Sequence, residues 1–264
     1  IPYDTWSMLS RMRKDDLLLV LGVSGGWFFP WVKRFSAAKL LVNIDGLEWK
    51  GDKWGKRAKA YLRWAEGMAA RQADGLVADN VVIQQHIKAA YAKSSHLIAY
   101  GGDHTRPVDP KPADRMRYPF MEGPYAFKVC RIEPENHVHQ ILEAFTKFGG
   151  YPLVLVGNWE NSEYGRALYQ RFRTHRNLIL LPPIYDPRGL NLLRSNAHLY
   201  VHGHEAGGTN PSLVEAMSLG LPVLAWDVSY NRETTGNQAF YYDSVDSLVE
   251  ALEQLDGQML RRNA

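Results

Sequence analysis

Tyr200-Val-His-Gly-His-Glu-Ala-Gly-Gly-Thr-Asn-Pro-Ser-Leu-Val-Glu215-Ala-Met-Ser-Leu-Gly-Leu-Pro-Val-Leu-Ala-Trp-Asp227 decides the fold. An apolar strand ends near His202, a Gly-Gly loop follows, and a helix opens at Asn210-Pro211-Ser212. Asn or Ser caps such a helix, and Pro in its first turn gives up no donor the helix needs. Glycines let a ligand approach the backbone. Gly207, Gly208, Thr209, Asn210 and Ser212 therefore offer amides and the positive end of a helix dipole to a phosphate. Glu215, one turn into the helix, suits a two-point grip on a ribose diol. On that reading its side chain faces the cleft and its removal changes folding little; the plainer alternative is a glycine turn closing a βα unit, with Glu215 a solvated helix residue.

Outward from this stretch the same alternation continues. Segments 126–130, 153–156, 178–181, 197–201, 222–225 and 239–242 read as strands. Segments 138–148, 164–175, 188–195, 212–219 and 245–255 read as helices. Short apolar strands alternating with helices of about ten residues predict βαβ units and a parallel sheet covered on both faces. Upstream, 16–21, 39–44, 75–78 and 96–100 read as strands, and 81–91 as a helix. Trp54, Ala58, Tyr61, Leu62, Ala65, Met68 and Ala69 share one helical face. Pro107, Pro110, Pro112, Pro119 and Pro124 mark 102–124 as a linker, because proline removes ladder donors and breaks helices. The expectation is an α/β chain of two doubly wound, Rossmann-like domains, 1–101 and 125–264. The first lacks an opening strand with a Gly-rich turn, so an N-terminal strand–helix portion is expected to be missing from it.

Composition agrees. A chain of 264 residues is nearer two domains than one. With 45% hydrophobic and 22% charged residues it is neither disordered nor fibrous. No apolar run approaches the ~20 residues of a membrane span, and Ile1-Pro2-Tyr3-Asp4 does not open an export signal. The single Cys130 excludes an internal disulfide and a cysteine-based zinc site, and suits a cytoplasmic protein. Residues 1–124 hold 19 Lys+Arg against 13 Asp+Glu, and 125–264 hold 12 against 15. That split points to different partners for the two parts, one of them an anionic surface, or to one basic helix falling there by chance.

The Gly207–Met217 string, with Asp227-Val-Ser-Tyr-Asn-Arg232, resembles the C-terminal domain of GT-B glycosyltransferases of the retaining family 4 type. Val42-Asn-Ile-Asp-Gly-Leu-Glu-Trp-Lys50, Ala99-Tyr-Gly-Gly-Asp103 and Cys130-Arg-Ile-Glu-Pro-Glu-Asn136 add to the likeness and make it similar to the bacterial rhamnosyltransferase branch. The resemblance implies two domains facing across a cleft. It implies a nucleotide diphosphate sugar as donor, such as dTDP-rhamnose or a UDP-sugar, and a saccharide or lipid-linked saccharide of surface polysaccharide as acceptor. It also implies retention at the anomeric carbon and no cofactor. Glu215 matches the family's ribose glutamate, whereas the partner glutamate near the donor sugar falls on Gly207, with Glu205 two residues earlier. Arg131 matches the arginine that neutralises the diphosphate; the accompanying lysine falls on Asn136. Ile184 and Tyr185 match the segment that meets the base, and Asp45 the position near the acceptor and reacting sugar. Asp45, Arg131 and Glu215 are thus the implied catalytic set. Each has an ordinary alternative: Asp45 a turn residue, Arg131 a salt bridge to Glu133 or Glu135, Ile184 and Tyr185 a strand-to-helix turn.

Asn158 ends a strand on the same side, and His204 flanks the loop as a candidate sugar or phosphate contact. No histidine–carboxylate spacing predicts a metal, and no Gly-x-Gly-x-x-Gly follows a strand. No nucleic-acid partner is expected. Lys53, Lys56, Arg57, Lys59 and Arg63 lie on one helix beside Trp49, Trp54 and Trp64, and Trp27–Trp31 runs into Lys33-Arg34. Basic residues among interfacial aromatics predict peripheral contact with an anionic membrane, unless they are simply the solvated face. Two rival functions stand beside transfer: a GT-B sugar-nucleotide epimerase and a non-catalytic sugar-nucleotide-binding protein.

Overall fold

The structure is a computed structural model that describes residues 2–51 and 54–262, the last seven by their helix alone. The chain divides into two compact units, Ile1–Tyr100 with Ala206–Thr209, and Gly101–Glu205 with Asn210–Ala264.

Unit 1 opens with helix α1 (Pro2–Arg11), followed by β1 (Leu17–Leu21), α2 (Phe29–Phe35), β2 (Lys39–Ile44), α3 (Lys56–Gln72), β3 (Gly75–Ala78), α4 (Val81–Tyr91) and β4 (His96–Leu97). All four strands are parallel, in the order β1-β2-β3-β4. Leu40, Val42 and Ile44 are fully buried, as are Ala65 and Ala69 on the apolar face of α3. At the edge, β1 leaves Leu19 57% and Leu21 72% exposed, unlike a strand covered on both faces. Helix α2 carries no long periodic pattern, and seven residues are too few to show one. Buried Glu66 of α3 accepts from the Trp49 indole N–H (2.9 Å) and the Tyr91 hydroxyl (2.7 Å), and meets His86 Nε2 at 2.6 Å.

Unit 2 contains α5 (Pro112–Arg117), β5 (Ala126–Val129), α6 (Val138–Lys147), β6 (Leu153–Val156), α7 (Glu163–Phe172), β7 (Leu178–Leu181), α8 (Pro187–Ser195), β8 (Leu199–His202), α9 (Pro211–Ser218), β9 (Val223–Trp226), α10 (Ser229–Thr234), β10 (Phe240–Tyr242) and α11 (Val245–Arg262). Its six strands are parallel, in the order β10-β9-β8-β5-β6-β7. Alternate strand residues enter opposite cores, as period-2 geometry requires. Ala126, Leu153, Leu155, Leu199, Val201 and Leu224 pack on one face, and Phe127, Val154, Val156, Tyr200, Val223 and Ala225 on the other. That double burial is why these strands read as unbroken apolar runs.

The segment 102–124 is less a linker than a strap on unit 2. Pro112 starts α5 and Pro119 starts a 3₁₀ turn, Pro119–Glu122, positions where the missing N–H costs nothing. Met121, Tyr118, Phe120 and Val108 pack on the core that holds Phe127 and Tyr200. The prolines signalled an irregular path; the apolar residues between them tie that path down.

Candidate functional site

The order of unit 2 reverses between β5 and β8: from β5 the chain builds outward through β6 and β7, and from β8 through β9 and β10. Such a switch point opens a crevice at the carboxyl ends of the two strands. The β5–β8 ladder joins Ala126 to Leu199 and Phe127 to Tyr200. Beyond it lies a cavity of about 310 Å³ lined by residues 128–131, Asn136, Leu190, Arg194, His202, residues 210–212 and Glu215.

Helix α9 enters the cavity by its N-terminus. Asn210 caps it, its Oδ1 accepting from the Ser212 amide (3.0 Å) and hydroxyl (2.7 Å), with Pro211 at the first position. The Ser212 hydroxyl in turn accepts from buried Tyr200 (2.9 Å). Burial raises the Tyr200 phenol well above its ordinary range, so it remains a donor.

Glu215 is not a solvated helix residue. Its Oε1 lies 2.9 Å from His104 Nε2, and its Oε2 pairs with Arg194 Nη2. The Arg194 side chain is 1% exposed and also donates to Asn191 Oδ1 at 3.1 Å. The expectation that Glu215 could be removed without cost to folding therefore fails: the carboxylate neutralises a buried guanidinium. Glu215 lines the cavity wall.

Arg131 lines the same cavity, and its ordinary alternative is also present: it pairs with both Glu133 (3.6 Å) and Glu135 (3.5 Å), with its side chain 66% exposed. Asn136 donates to the Arg131 carbonyl (2.9 Å), and its Oδ1 lies 3.0 Å from His204 Nδ1. His204 is thus tied to Asn136 and is not a wall residue of the cavity. Asn158 caps the turn Trp159–Asn161 through the Glu160 amide. Ile184 packs on the core that holds Phe127. Tyr185 is 84% exposed.

Gly207, Gly208 and Thr209 do not line the cavity either, because Ala206–Thr209 belongs to unit 1. There the Thr209 hydroxyl donates to the Asp79 carbonyl (3.0 Å) and accepts from Asn80 Nδ2 (3.3 Å). A Cβ on Gly208 would lie 2.8 Å from the Asp45 carbonyl oxygen, and one on Gly46 2.8 Å from Gly207 Cα. These glycines are needed for backbone to meet backbone. Asp45 sits beside them in unit 1, its carboxyl raised above the ordinary range by burial.

Lys128, Arg194, His202 and His104 acquire roles that spacing did not reveal. A signal existed for two of them. Lys128 interrupts an apolar strand bound for double burial, and Arg194 interrupts the Leu-Asn-Leu-Leu face of a helix. Buried charges of this kind need a partner or a ligand.

Among the described residues, no group of three His, Cys, Asp or Glu side chains could hold a metal ion. No described helix is long and apolar enough to cross a membrane. Of the basic and aromatic residues upstream, Trp31 and Trp64 are 54% and 48% exposed. Trp49 instead hydrogen-bonds to Glu66 beneath the Arg63 guanidinium, 5.3 Å from its ring. Lys53 lies outside the described residues.

Comparison with known proteins supplies the frame. The family described as "Glycosyl transferases group 1" matches residues 111–260, more than half of the chain. "Domain of unknown function (DUF1972)" matches residues 7–103. No curated protein matches the sequence. Among solved structures, Alr3699/HepE from Anabaena in complex with UDP is 17% identical, with a TM-score of 0.76 over 97% of this chain and 72% of that one. Sucrose-phosphate synthase from Thermosynechococcus elongatus is 16% identical, with a TM-score of 0.78 over 97% and 68%. A putative UDP-N-acetylglucosamine 2-epimerase from Listeria monocytogenes is 16% identical, with a TM-score of 0.57 over 97% and 69%. At these identities the likeness shows a shared fold, two-domain GT-B, and no shared substrate.

Proposed function

This chain belongs to the glycosyl transferases group 1 family, and from that premise we propose that it moves a hexosyl group, rhamnosyl foremost, from a nucleotide diphosphate sugar to a saccharide or lipid-linked saccharide acceptor. One observation carries the reading. The switch-point cavity brings Arg131, Asn210, Ser212 and Glu215 together, a cation, a helix N-terminus and a carboxylate. Those are the parts needed to seat a diphosphate beside a ribose.

In this reading Glu215 grips the ribose diol, with Arg194 holding its carboxylate in place. Arg131 and the α9 amides take up the charge that develops on the leaving diphosphate. Stabilisation of developing charge by fixed donors is the main catalytic device of such a site. Asp45 is the candidate for the acceptor side, and a front-face displacement assisted by the leaving phosphate would retain configuration. UDP-bound HepE supports the choice of a nucleotide ligand by analogy of fold.

Calorimetry with UDP and dTDP, each against its nucleoside, tests the site; a preference for the diphosphate supports the reading. Turnover with labelled dTDP-rhamnose and UDP-glucose separates the rivals. Sugar passed to an acceptor is transfer, an epimerised donor is epimerisation, and binding without either is a binding protein.

A further inference from the structure

A third cation lines the cavity besides Arg131 and Arg194. Lys128, on β5 where that strand parts from β8, lines the cavity and is 1% exposed. Among the described residues it has no salt-bridge partner, and the titratable groups that interact with it are His202, His137 and Cys130 rather than a carboxylate. A lysine that is almost fully buried without a counter-ion is costly to the free protein. Burial accordingly lowers its pKa.

A second observation points to the same place. His202, at the end of β8 and 2% exposed, lines the cavity with its Nε2 lacking any hydrogen-bond partner. Burial and the nearby Lys128 hold the imidazole well below its ordinary pKa, so it is neutral. A buried polar nitrogen left unsatisfied is rare and marks a missing partner. A cation with no carboxylate partner on the wall of this crevice describes a seat for an anion, and the His202 Nε2, the one ring nitrogen that Asn231 leaves open, marks the same place as short of a hydrogen-bonding group. Arg131, by contrast, is already paired with two glutamates, and position 136 carries a neutral asparagine engaged by Arg131 and His204.

We propose that Lys128 supplies the second positive contact to the donor's diphosphate in this protein, in place of a cation at position 136. The proposal rests on the nucleotide-sugar reading of the cavity. Its chemical content is a division of labour: Arg131 meets the diphosphate from the exposed side and Lys128 from the strand floor. The energetic content is a trade-off. The free protein carries an unpaired buried charge that the ligand neutralises, so the group should cost stability and raise affinity.

The test compares wild type with Lys128→Met, which keeps length and apolar bulk while deleting the charge. UDP, dTDP, uridine and thymidine are titrated calorimetrically, and ligand-free melting is recorded. Loss of a charge-assisted hydrogen bond predicts roughly tenfold or greater weakening for the diphosphates and unchanged nucleoside binding. The ligand-free variant should melt no lower than wild type, a result that a merely structural lysine would not give. If wild type holds neither diphosphate more tightly than its nucleoside, the reading of the cavity falls, and the proposal with it. If wild type shows the preference and Lys128→Met keeps it in full, only the Lys128 assignment falls. Should the variant fail to fold, a crystal of wild type with the bound diphosphate decides. Lys128 Nζ within about 3.2 Å of a phosphate oxygen upholds the proposal, and a side chain turned away from the phosphates overturns it.

Discussion

Removing Glu215 should unfold unit 2 at a lower temperature as well as weaken ligand binding. Glu215→Ala deletes the partner of a guanidinium whose side chain is 1% exposed. Breaking a buried ion pair from one side costs about 3–5 kcal/mol, because the remaining charge is stranded. Glu215 itself is 19% exposed and its other partner, His104, 64% exposed, so water reaches the pair and the low end, about 3 kcal/mol, applies. For a unit of this size that is a fall of roughly 6–12 °C in Tm. Arg194→Met should cost less, since it leaves a carboxylate that His104 and water can still reach. The double variant Glu215→Leu with Arg194→Met should recover much of the loss, because an apolar pair can replace a buried ion pair at little cost. Urea unfolding of the four proteins closes a double-mutant cycle, with an expected coupling of about 2 kcal/mol. Glu215→Ala melting within a degree of wild type, or a double variant as unstable as the two losses added, would refute the reasoning. Glu215→Gln keeps the hydrogen-bonding shape but not the charge, so it should lose less stability than Glu215→Ala, and it should weaken nucleoside and nucleoside diphosphate alike, as a ribose contact requires.

Other consequences are equally direct. His202 is buried and neutral at ordinary pH. Its stability contribution is therefore complete above the unfolded value near 6.5 and is lost as pH falls, at up to about 1.4 kcal/mol per pH unit; urea unfolding of His202→Leu between pH 7 and 5 should show a slope shallower by about one proton. Asp74 is held below the ordinary carboxylate range by Lys33, at 2.8 Å from both oxygens, and by the Leu40 amide. It stabilises unit 1 above its unfolded pKa and loses that effect as acid titrates the lower folded value, so Asp74→Asn should flatten the acid limb of a stability–pH curve. Gly46→Ala places a Cβ 2.8 Å from Gly207 Cα, and backbone cannot yield as a side chain does; a cost of about 1–3 kcal/mol in thermal unfolding is expected. Neutralising Lys53, Lys56, Arg57 and Lys59 together should abolish co-sedimentation with anionic vesicles at low salt and spare nucleotide binding. Equal pelleting of the two proteins would end the membrane reading.

Much of this protein is legible in its sequence, for local reasons. Strands such as Leu153-Val-Leu-Val156 are apolar throughout because both their faces are covered. Asn210-Pro211 announces its helix because capping and the proline N1 preference act within three residues. The order of such strands along the chain was enough to expect a doubly wound unit with a ligand crevice at a strand end. What sequence could not decide was who neutralises whom. Glu215 and Arg194 lie 21 positions apart with nothing between them to link the two, yet burial of the guanidinium makes them one group. Lys128 stands two positions from Cys130 in a strand, and only the parting of β5 from β8 turns it from an anomaly into a cavity wall. The Gly207-Gly208 pair looked like a phosphate loop because glycine admits any close approach; that the approaching atoms are the backbone of Asp45 and Gly46 is set by tertiary packing. Periodicity and capping are near-neighbour physics and are written in the chain. Desolvation and charge pairing depend on which distant residues exclude water from a group, and only the folded structure settles that.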